Sequence, residues 1–205
     1  ESNLDPRVKS PARAVGMWQF MEGTAKDYGL TITPTVDERS HVEKSTIAAC
    51  KYLKDAYAKY GDWVAVASSY NAGMGRISGE LSKQDVESSF DLWLVEETTR
   101  YVYRILAMKL IFENPYKYGF VLRERDLYKP IDCKLIKVSS DIPDLASFAK
   151  AQGVTYADLK RFNPWLRDRK LVTAGKTYEL QIPKASDMFY KTPNKEVYNR
   201  NWLAE

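Results

Sequence analysis

The chain has 205 residues, of which 44% are apolar, 28% charged and 13% aromatic, with 31 basic against 27 acidic residues. This is the balance of a globular fold of one domain with room for a small module, and a net charge of +4 without a basic stripe does not argue for nucleic acid. One histidine, His41, and two cysteines, Cys50 and Cys133, are too few for a zinc cluster of the usual kind and confine any Ser-His-Asp triad to His41, and no apolar run approaches a membrane span.

In chain order, Trp18-Gln19-Phe20-Met21 leads into Thr24–Tyr28 as a first helical pattern, stopped by Gly29. The polar stretch Asp37-Glu38-Arg39-Ser40-His41 reads as the solvated start of a second helix. That helix runs from Val42 to Tyr60, with Val42, Ala49, Cys50, Leu53, Ala56, Tyr57 and Tyr60 at three-and-four spacing, and Gly61 ends it. The pattern puts Cys50 on the apolar side, and both cysteines read as unpaired. Asp62 caps a third helix carrying Trp63, Val64, Val66, Ala67 and Tyr70. Residues 74–95 show no clear period and suit either a loop over a cleft or a connection between helices. A fourth helix from about Glu96 to Phe112 puts Tyr101, Val102, Ile105, Leu106, Met108 and Phe112 on one broad face, and Asn114-Pro115 stops it.

The character changes after residue 120. Residues 121–133 are charged and irregular and read as a linker. Lys134–Val138 alternates like a strand, Leu145–Gln152 and Tyr156–Phe162 are helical, Asn163-Pro164 breaks the second of these, and Thr177–Pro183 alternates again. Residues 134–183 are thus a small βααβ module, and 184–205 a polar tail.

Several clusters stand out as chemistry. They are Glu1-Ser2, Ser10, Gly16-Met17-Trp18-Gln19-Phe20-Met21, Ser69-Tyr70-Asn71-Ala72-Gly73 and Glu97-Thr98-Thr99-Arg100-Tyr101-Val102. Each alone has a structural reading. Asn71 and Gly73 could end the third helix, Glu97 could complement a helix dipole, and Gln19 could be an exposed helix residue.

Taken in order, these segments resemble the lytic murein transglycosylases of the lysozyme-like superfamily, nearest the membrane-bound D type, over roughly residues 1–120. The resemblance implies a mainly α fold: a lysozyme-like helical catalytic domain over 1–120, then the βααβ module. It implies that Glu1 is the catalytic acid and then base, with Ser10 hydrogen-bonding near it. Gln19 and Met21 would line the sugar groove, with Tyr70 and Asn71 beside the catalytic carboxyl. Glu97 and Tyr101 would contact substrate. The implied reaction breaks the MurNAc-GlcNAc β-1,4 bond of peptidoglycan without net water, leaving a 1,6-anhydromuramic acid end, as in a lyase of the glycoside hydrolase family 23 kind.

The residue types suit that chemistry. Protonating a glycosidic oxygen near neutral pH needs a carboxylic acid that burial keeps protonated. Most glycosidases add a second carboxylate. In this family the substrate's N-acetyl group and C6 hydroxyl serve instead, and Asp5, Glu22 and Asp27 read as solvated helix or turn positions.

Residues 134–183 also resemble a LysM domain, on Gly153-Val154-Thr155-Tyr156-Ala157-Asp158-Leu159, Phe162-Asn163-Pro164, Leu171, Gly175 and Ile182-Pro183. Such modules bind N-acetylglucosamine-containing glycans. The usual Gly-Asp-Thr-Leu turn is replaced by Ser139-Ser140-Asp141-Ile142-Pro143-Asp144-Leu145, so binding and a packing role alone are both open.

The family implies no cofactor and no metal, peptidoglycan strands as partner, a monomer, and the bacterial envelope at the periplasm or outer membrane. In the family a helix precedes the catalytic glutamate. The chain is therefore expected to be a fragment whose upstream helix, and any membrane anchor, precede residue 1. Two alternatives stand beside the leading one: a hydrolytic muramidase of the goose-lysozyme type, and an inactive glycan-binding protein.

Overall fold

Most helix boundaries in this computed structural model, which describes residues 1–128, 130–188 and 202–203, fall where side chains or glycines cap them. The elements are α1 (Glu22–Asp27), α2 (Val42–Tyr60), α3 (Trp63–Ala72), α4 (Met74–Gln84), α5 (Glu96–Glu113), β1 (Cys133–Val138), α6 (Leu145–Ala151), α7 (Tyr156–Phe162) and β2 (Tyr178–Pro183), with short 3-10 turns between them. The fold is mainly helical with one small two-stranded sheet, as expected. Contacts divide it into two compact units, 1–50 with 130–191 and 51–129 with 192–205. The tail expected over 184–205 lies mostly outside the described residues. No helix among the described residues is long and apolar enough to cross a membrane.

In the first unit β1 and β2 pair antiparallel, from Cys133↔Pro183 to Val138↔Tyr178. The Asp144 carboxylate accepts from the backbone N–H of Ala146 and Ser147 to start α6, and Thr155 and Asp158 form a reciprocal capping box on α7. Leu145, Leu159, Leu171 and Leu180 are fully buried between the helices and the sheet. Asn163 is fully buried too. Its Nδ2 donates to Leu159 O (2.9 Å) and Gln181 O (2.8 Å), and its Oδ1 accepts from Gln181 N–H (2.8 Å), so the residue that ends α7 also ties it to β2.

The βααβ core contains a residue from far upstream in the chain, Val36. Val36 bridges Leu166, Asp37 N–H donates to Trp165 O (2.8 Å), and Arg167 N–H donates to Thr35 O (2.9 Å). Thr35 Oγ1 accepts from Val172 N–H (3.2 Å), and Lys176 Nζ donates to Thr31 Oγ1 (3.0 Å). Residues 31–37 therefore satisfy backbone groups of the α7–β2 connection that would otherwise lie unpaired at its edge.

In the second unit α3 packs on α4 and α5 around Val66, Ile77, Leu92 and Val102. The Asp62 carboxylate caps α3 through Val64 N–H (3.1 Å) and Ala65 N–H (2.9 Å), as its position predicts.

Four expectations are corrected. The first helix begins only at Glu22, because Val15 pairs with Phe20 and Gln19 sits at φ +50°, which makes 15–20 a tight ribbon. Residues 74–84 are helical. Cys50 is exposed, because the buried stripe of α2 runs through Ser45, Ala48, Ala49, Tyr52 and Ala56; both cysteines are free. The stretch Asp37–Ser40 is buried rather than solvated, and His41 is half-buried with its ring stacked on Trp165.

Candidate active site

The first four candidate residues, Glu1, Ser10, Gln19 and Met21, lie within the first 21 residues, and Ser10 and Gln19 belong to one ribbon. Lys9 pairs with Val15 and Val15 with Phe20, and Gly16 N–H donates to Val8 O (2.9 Å). Ser10 closes the turn between them: its Oγ accepts from Ala14 N–H (3.0 Å) while Arg13 takes φ +68°. Gln19 does not project from a helix. Its Nε2 donates to Gly16 O (2.6 Å) and Val8 O (3.2 Å), which leaves the Oε1 acceptor for a ligand. Met21 is 48% exposed, at the start of α1. Trp18 Nε1 donates to Thr46 Oγ1 (2.8 Å) and anchors the ribbon to α2.

Ser2 is the residue that places Glu1. It is buried, and its hydroxyl donates to Met17 O (2.7 Å). Glu1 is exposed, not buried as expected of the acid, and is held one residue from an anchor on the segment that carries Gln19.

The ribbon rests on charge that the sequence reading took for solvated. Arg39 Nε and Nη2 donate to the two oxygens of Asp37 (2.9 and 2.8 Å), and Nη1 donates to Arg13 O and Phe20 O (both 3.2 Å). Glu38 accepts from Thr31 N–H (2.7 Å) and pairs with Lys44. Buried charge is tolerated because each group finds a partner and its remaining hydrogen bonds. The signal that could have revealed this was Gly16. It sits at φ +89°, and a β-carbon there would lie 1.9 Å from Arg39 O.

The other four candidates lie in the second unit. Tyr70 and Asn71 form the last turn of α3, which ends where Gly73 (φ +90°) donates to Ser69 O (2.7 Å). Tyr70 packs edge-on to Tyr52 (5.2 Å, 84°), whose hydroxyl donates to Ser69 O (2.8 Å). Burial pushes the Tyr52 hydroxyl above its usual range, which keeps it a neutral donor. Glu97 and Tyr101 stand one turn apart at the start of α5; Glu97 is exposed and Tyr101 half-buried. Among the described residues no cluster of three or more His, Cys, Asp or Glu side chains is placed to hold a metal ion.

Comparison with known proteins matches two stretches of the chain. Residues 1–92 match the transglycosylase SLT domain, and residues 134–186 the soluble lytic transglycosylase C-terminal LysM-like domain. The chain is 32% identical over 189 residues to membrane-bound lytic murein transglycosylase D of Escherichia coli K12, covering 90% of this chain and 41% of that protein. It is 39% identical over 79 residues to the peptidoglycan transglycosylase gp16 of Escherichia phage T7, covering 38% of this chain and 6% of that one. Among solved structures, the 70 kDa soluble lytic transglycosylase of Escherichia coli superposes with a TM-score of 0.47 and 27% identity, over 58% of this chain and 20% of that one. The chain spans about two fifths of the length of the curated relatives it first matches. With both matches in order, the chain consists of a transglycosylase SLT domain followed by a LysM-like domain of the soluble lytic transglycosylase C-terminal kind.

Proposed function

We propose that this chain cleaves the MurNAc-GlcNAc β-1,4 bond of peptidoglycan by intramolecular transfer, with Glu1 as acid and then base. Glu1 gives its proton to the departing O4 of GlcNAc as the C1–O4 bond breaks, with the 2-acetamido group stabilising the positive charge that develops at C1. The muramoyl C6 hydroxyl then bonds to C1 and returns its proton to Glu1. The products are a 1,6-anhydromuramoyl end and a free GlcNAc 4-hydroxyl, and no water is consumed. One carboxyl group therefore serves both proton transfers.

The observation that carries this reading is the Ser2–Met17 hydrogen bond (2.7 Å) at the start of the matched SLT domain, which fixes the residue after Glu1 to the Gln19 segment. A general acid must be held to well under an ångström, and a tether one residue away supplies part of that restraint. Gln19 Oε1 and the exposed Met21 thioether give one polar and one apolar contact for a sugar. Tyr70, Asn71, Glu97 and Tyr101 are assigned to substrate by the order of their motifs. The reading extends to a site of action in the bacterial cell envelope, in keeping with the name of the murein transglycosylase relative.

The test is mass spectrometry of the products released from purified peptidoglycan, beside a Glu1→Gln control. Anhydromuropeptides that vanish in the control are expected. Products one water heavier would make the chain a hydrolase, and unchanged turnover in Glu1→Gln would remove Glu1 from the chemistry.

A further inference from the structure

The net charge of +4 conceals a local concentration. Residues 160–176, from α7 into the α7–β2 connection of the LysM-like domain, hold six cations, Lys160, Arg161, Arg167, Arg169, Lys170 and Lys176, against one anion, Asp168. That stretch carries +5, more than the whole chain, so the remainder is close to neutral.

The fold gathers these charges. Lys160 Nζ donates to Leu166 O and to Asp168 O, the carbonyls on either side of Arg167. Arg167 Nη1 donates to Thr33 O (3.2 Å) and Lys176 Nζ to Thr31 Oγ1 (3.0 Å), which lays both along one short segment of chain. All except Lys160 are exposed, and none of the six forms an ion pair with a described residue. The neighbouring acids spend their oxygens elsewhere. Asp141 accepts from Thr173 N–H (2.8 Å) and Oγ1 (2.9 Å), Asp144 caps α6, and Asp168 accepts from Arg169 N–H (2.6 Å). Like charges held together without counter-charges raise the field over that face and attract anions.

The chemistry of the face narrows the partner. Guanidinium forks match carboxylates in a two-pronged geometry. A single exposed ion pair is weak, so useful affinity needs several anions presented together, as on a polyanion. Val172, 39% exposed, is the one exposed large apolar side chain in the stretch, which leaves nothing of the kind that bilayer-docking surfaces insert. No exposed aromatic ring is available there to stack on nucleic-acid bases. A polymer with repeated carboxylates remains, and the stem peptides of peptidoglycan supply them at intervals along the strand.

We propose that the 160–176 face binds stem-peptide carboxylates of peptidoglycan, several at a time, so that this surface reads the peptide and not the sugar. That the polymer is peptidoglycan rests on the reading above; the cationic face does not.

The test is co-sedimentation of the full chain with purified peptidoglycan, beside peptidoglycan whose carboxylates have been capped as methylamides. Capping neutralises the peptide and leaves the glycan intact. Affinity should fall at least about tenfold on capping, and severalfold between 50 mM and 200 mM salt, about the range over which screening of exposed charges deepens. The side chains of Arg161, Arg169 and Lys170 make no hydrogen bond with the described residues. Arg161→Gln/Arg169→Gln/Lys170→Gln should therefore keep the urea midpoint of wild type, yet bind uncapped peptidoglycan about tenfold more weakly and with a flatter salt dependence. Equal affinity for capped and uncapped material, or unchanged affinity in the triple variant, would overturn the proposal. Tighter binding to phosphatidylglycerol vesicles than to peptidoglycan would overturn the choice of partner. Product analysis is read separately. Charge-dependent binding without turnover would sink the catalytic reading and keep this one, and turnover with salt-insensitive binding would do the reverse.

Discussion

Arg39 and Asp37 meet as a two-pronged pair (2.9 and 2.8 Å) with side chains only 6% and 7% exposed, beneath the ribbon that carries Gln19. Removing one partner strands the other in a dry site. Arg39→Met should therefore lower stability by about 3–5 kcal/mol in urea denaturation. The double variant Asp37→Leu/Arg39→Met leaves no unpaired charge there and should be less destabilised than Arg39→Met alone, although Arg13 O and Phe20 O still lose a donor. A double variant worse than the single would show that the pair acts through those carbonyls.

Gly16 and Gly29 share a left-handed backbone, φ +89° and +83°, but not the same space. Nothing lies within 4 Å of a β-carbon at Gly29, whereas at Gly16 it would meet Arg39 O at 1.9 Å. Gly29→Ala should cost about 1 kcal/mol, the strain of a side chain in this region. Gly16→Ala adds a backbone collision and should cost at least about 3 kcal/mol. Thermal melts of the two side by side give the comparison, and equal losses would mean that the ribbon can move off Arg39.

These two cases show where the sequence was legible. α2, α3, α5 and α7 could be read because local signals bound them: Asp62 and Thr155 caps, the Asn114-Pro115 stop, and three-and-four spacing. α4 was hidden because Gly75 and Gly79 interrupt Met74, Ile77 and Leu81, whose spacing is nonetheless helical. The face predicted on α5 exists as a pattern, yet Ile105, Leu106, Met108 and Phe112 are 41–57% exposed, and only Val102 and Thr98 are buried on that helix. The ribbon and the Asp37–Arg39 stretch were illegible because what holds them is remote in sequence. Ser2 reaches Met17, Gln19 reaches Val8, and Arg39 reaches Arg13. A pattern reading sees charges before a helix and calls them solvated, since it cannot see the partner. The candidate site was legible as an order of motifs, and the positioning role of Ser2 was not.

Ser2 acts on the proposed acid through the backbone, as a positioning residue. Ser2→Ala removes the hydrogen bond to Met17 O and leaves the Glu1 carboxyl in place. Peptidoglycan turnover should fall by about tenfold to a hundredfold in kcat with little change in KM, the mark of misplacement rather than lost binding. Ser2→Thr keeps the hydroxyl and should restore most of it. A loss confined to KM would argue that the tether serves the sugar-binding segment instead.

Val36 is fully buried in the core of the LysM-like domain although it lies before α2. Val36→Ala removes two methyl groups from that core and should cost about 2 kcal/mol. The location of the effect is more telling than its size. Hydrogen exchange should speed up at the paired β1 and β2 amides between Lys134↔Ile182 and Val138↔Tyr178. Unchanged protection there would mean that the βααβ core closes without residues 31–37.

His41 gives the fold a pH dependence of known sign. Burial first, and then Lys44, lowers its pKa below the ordinary 6.5, while Glu38 and Glu43 pull the other way. The unfolded chain therefore binds the proton more tightly than the native one. Stability is full above about pH 6.5 and falls as the pH drops from there toward the lowered native value. The carboxylates of Asp141 and Asp144 are held below their usual range by hydrogen bonds, so their contribution is lost only at more acid pH and does not overlap this window. Urea midpoints at pH 7.5, 6.5 and 5.5 should decline in wild type and stay level in His41→Gln, apart from a constant offset for the lost stack on Trp165. Parallel declines in the two proteins would place the titration on another group.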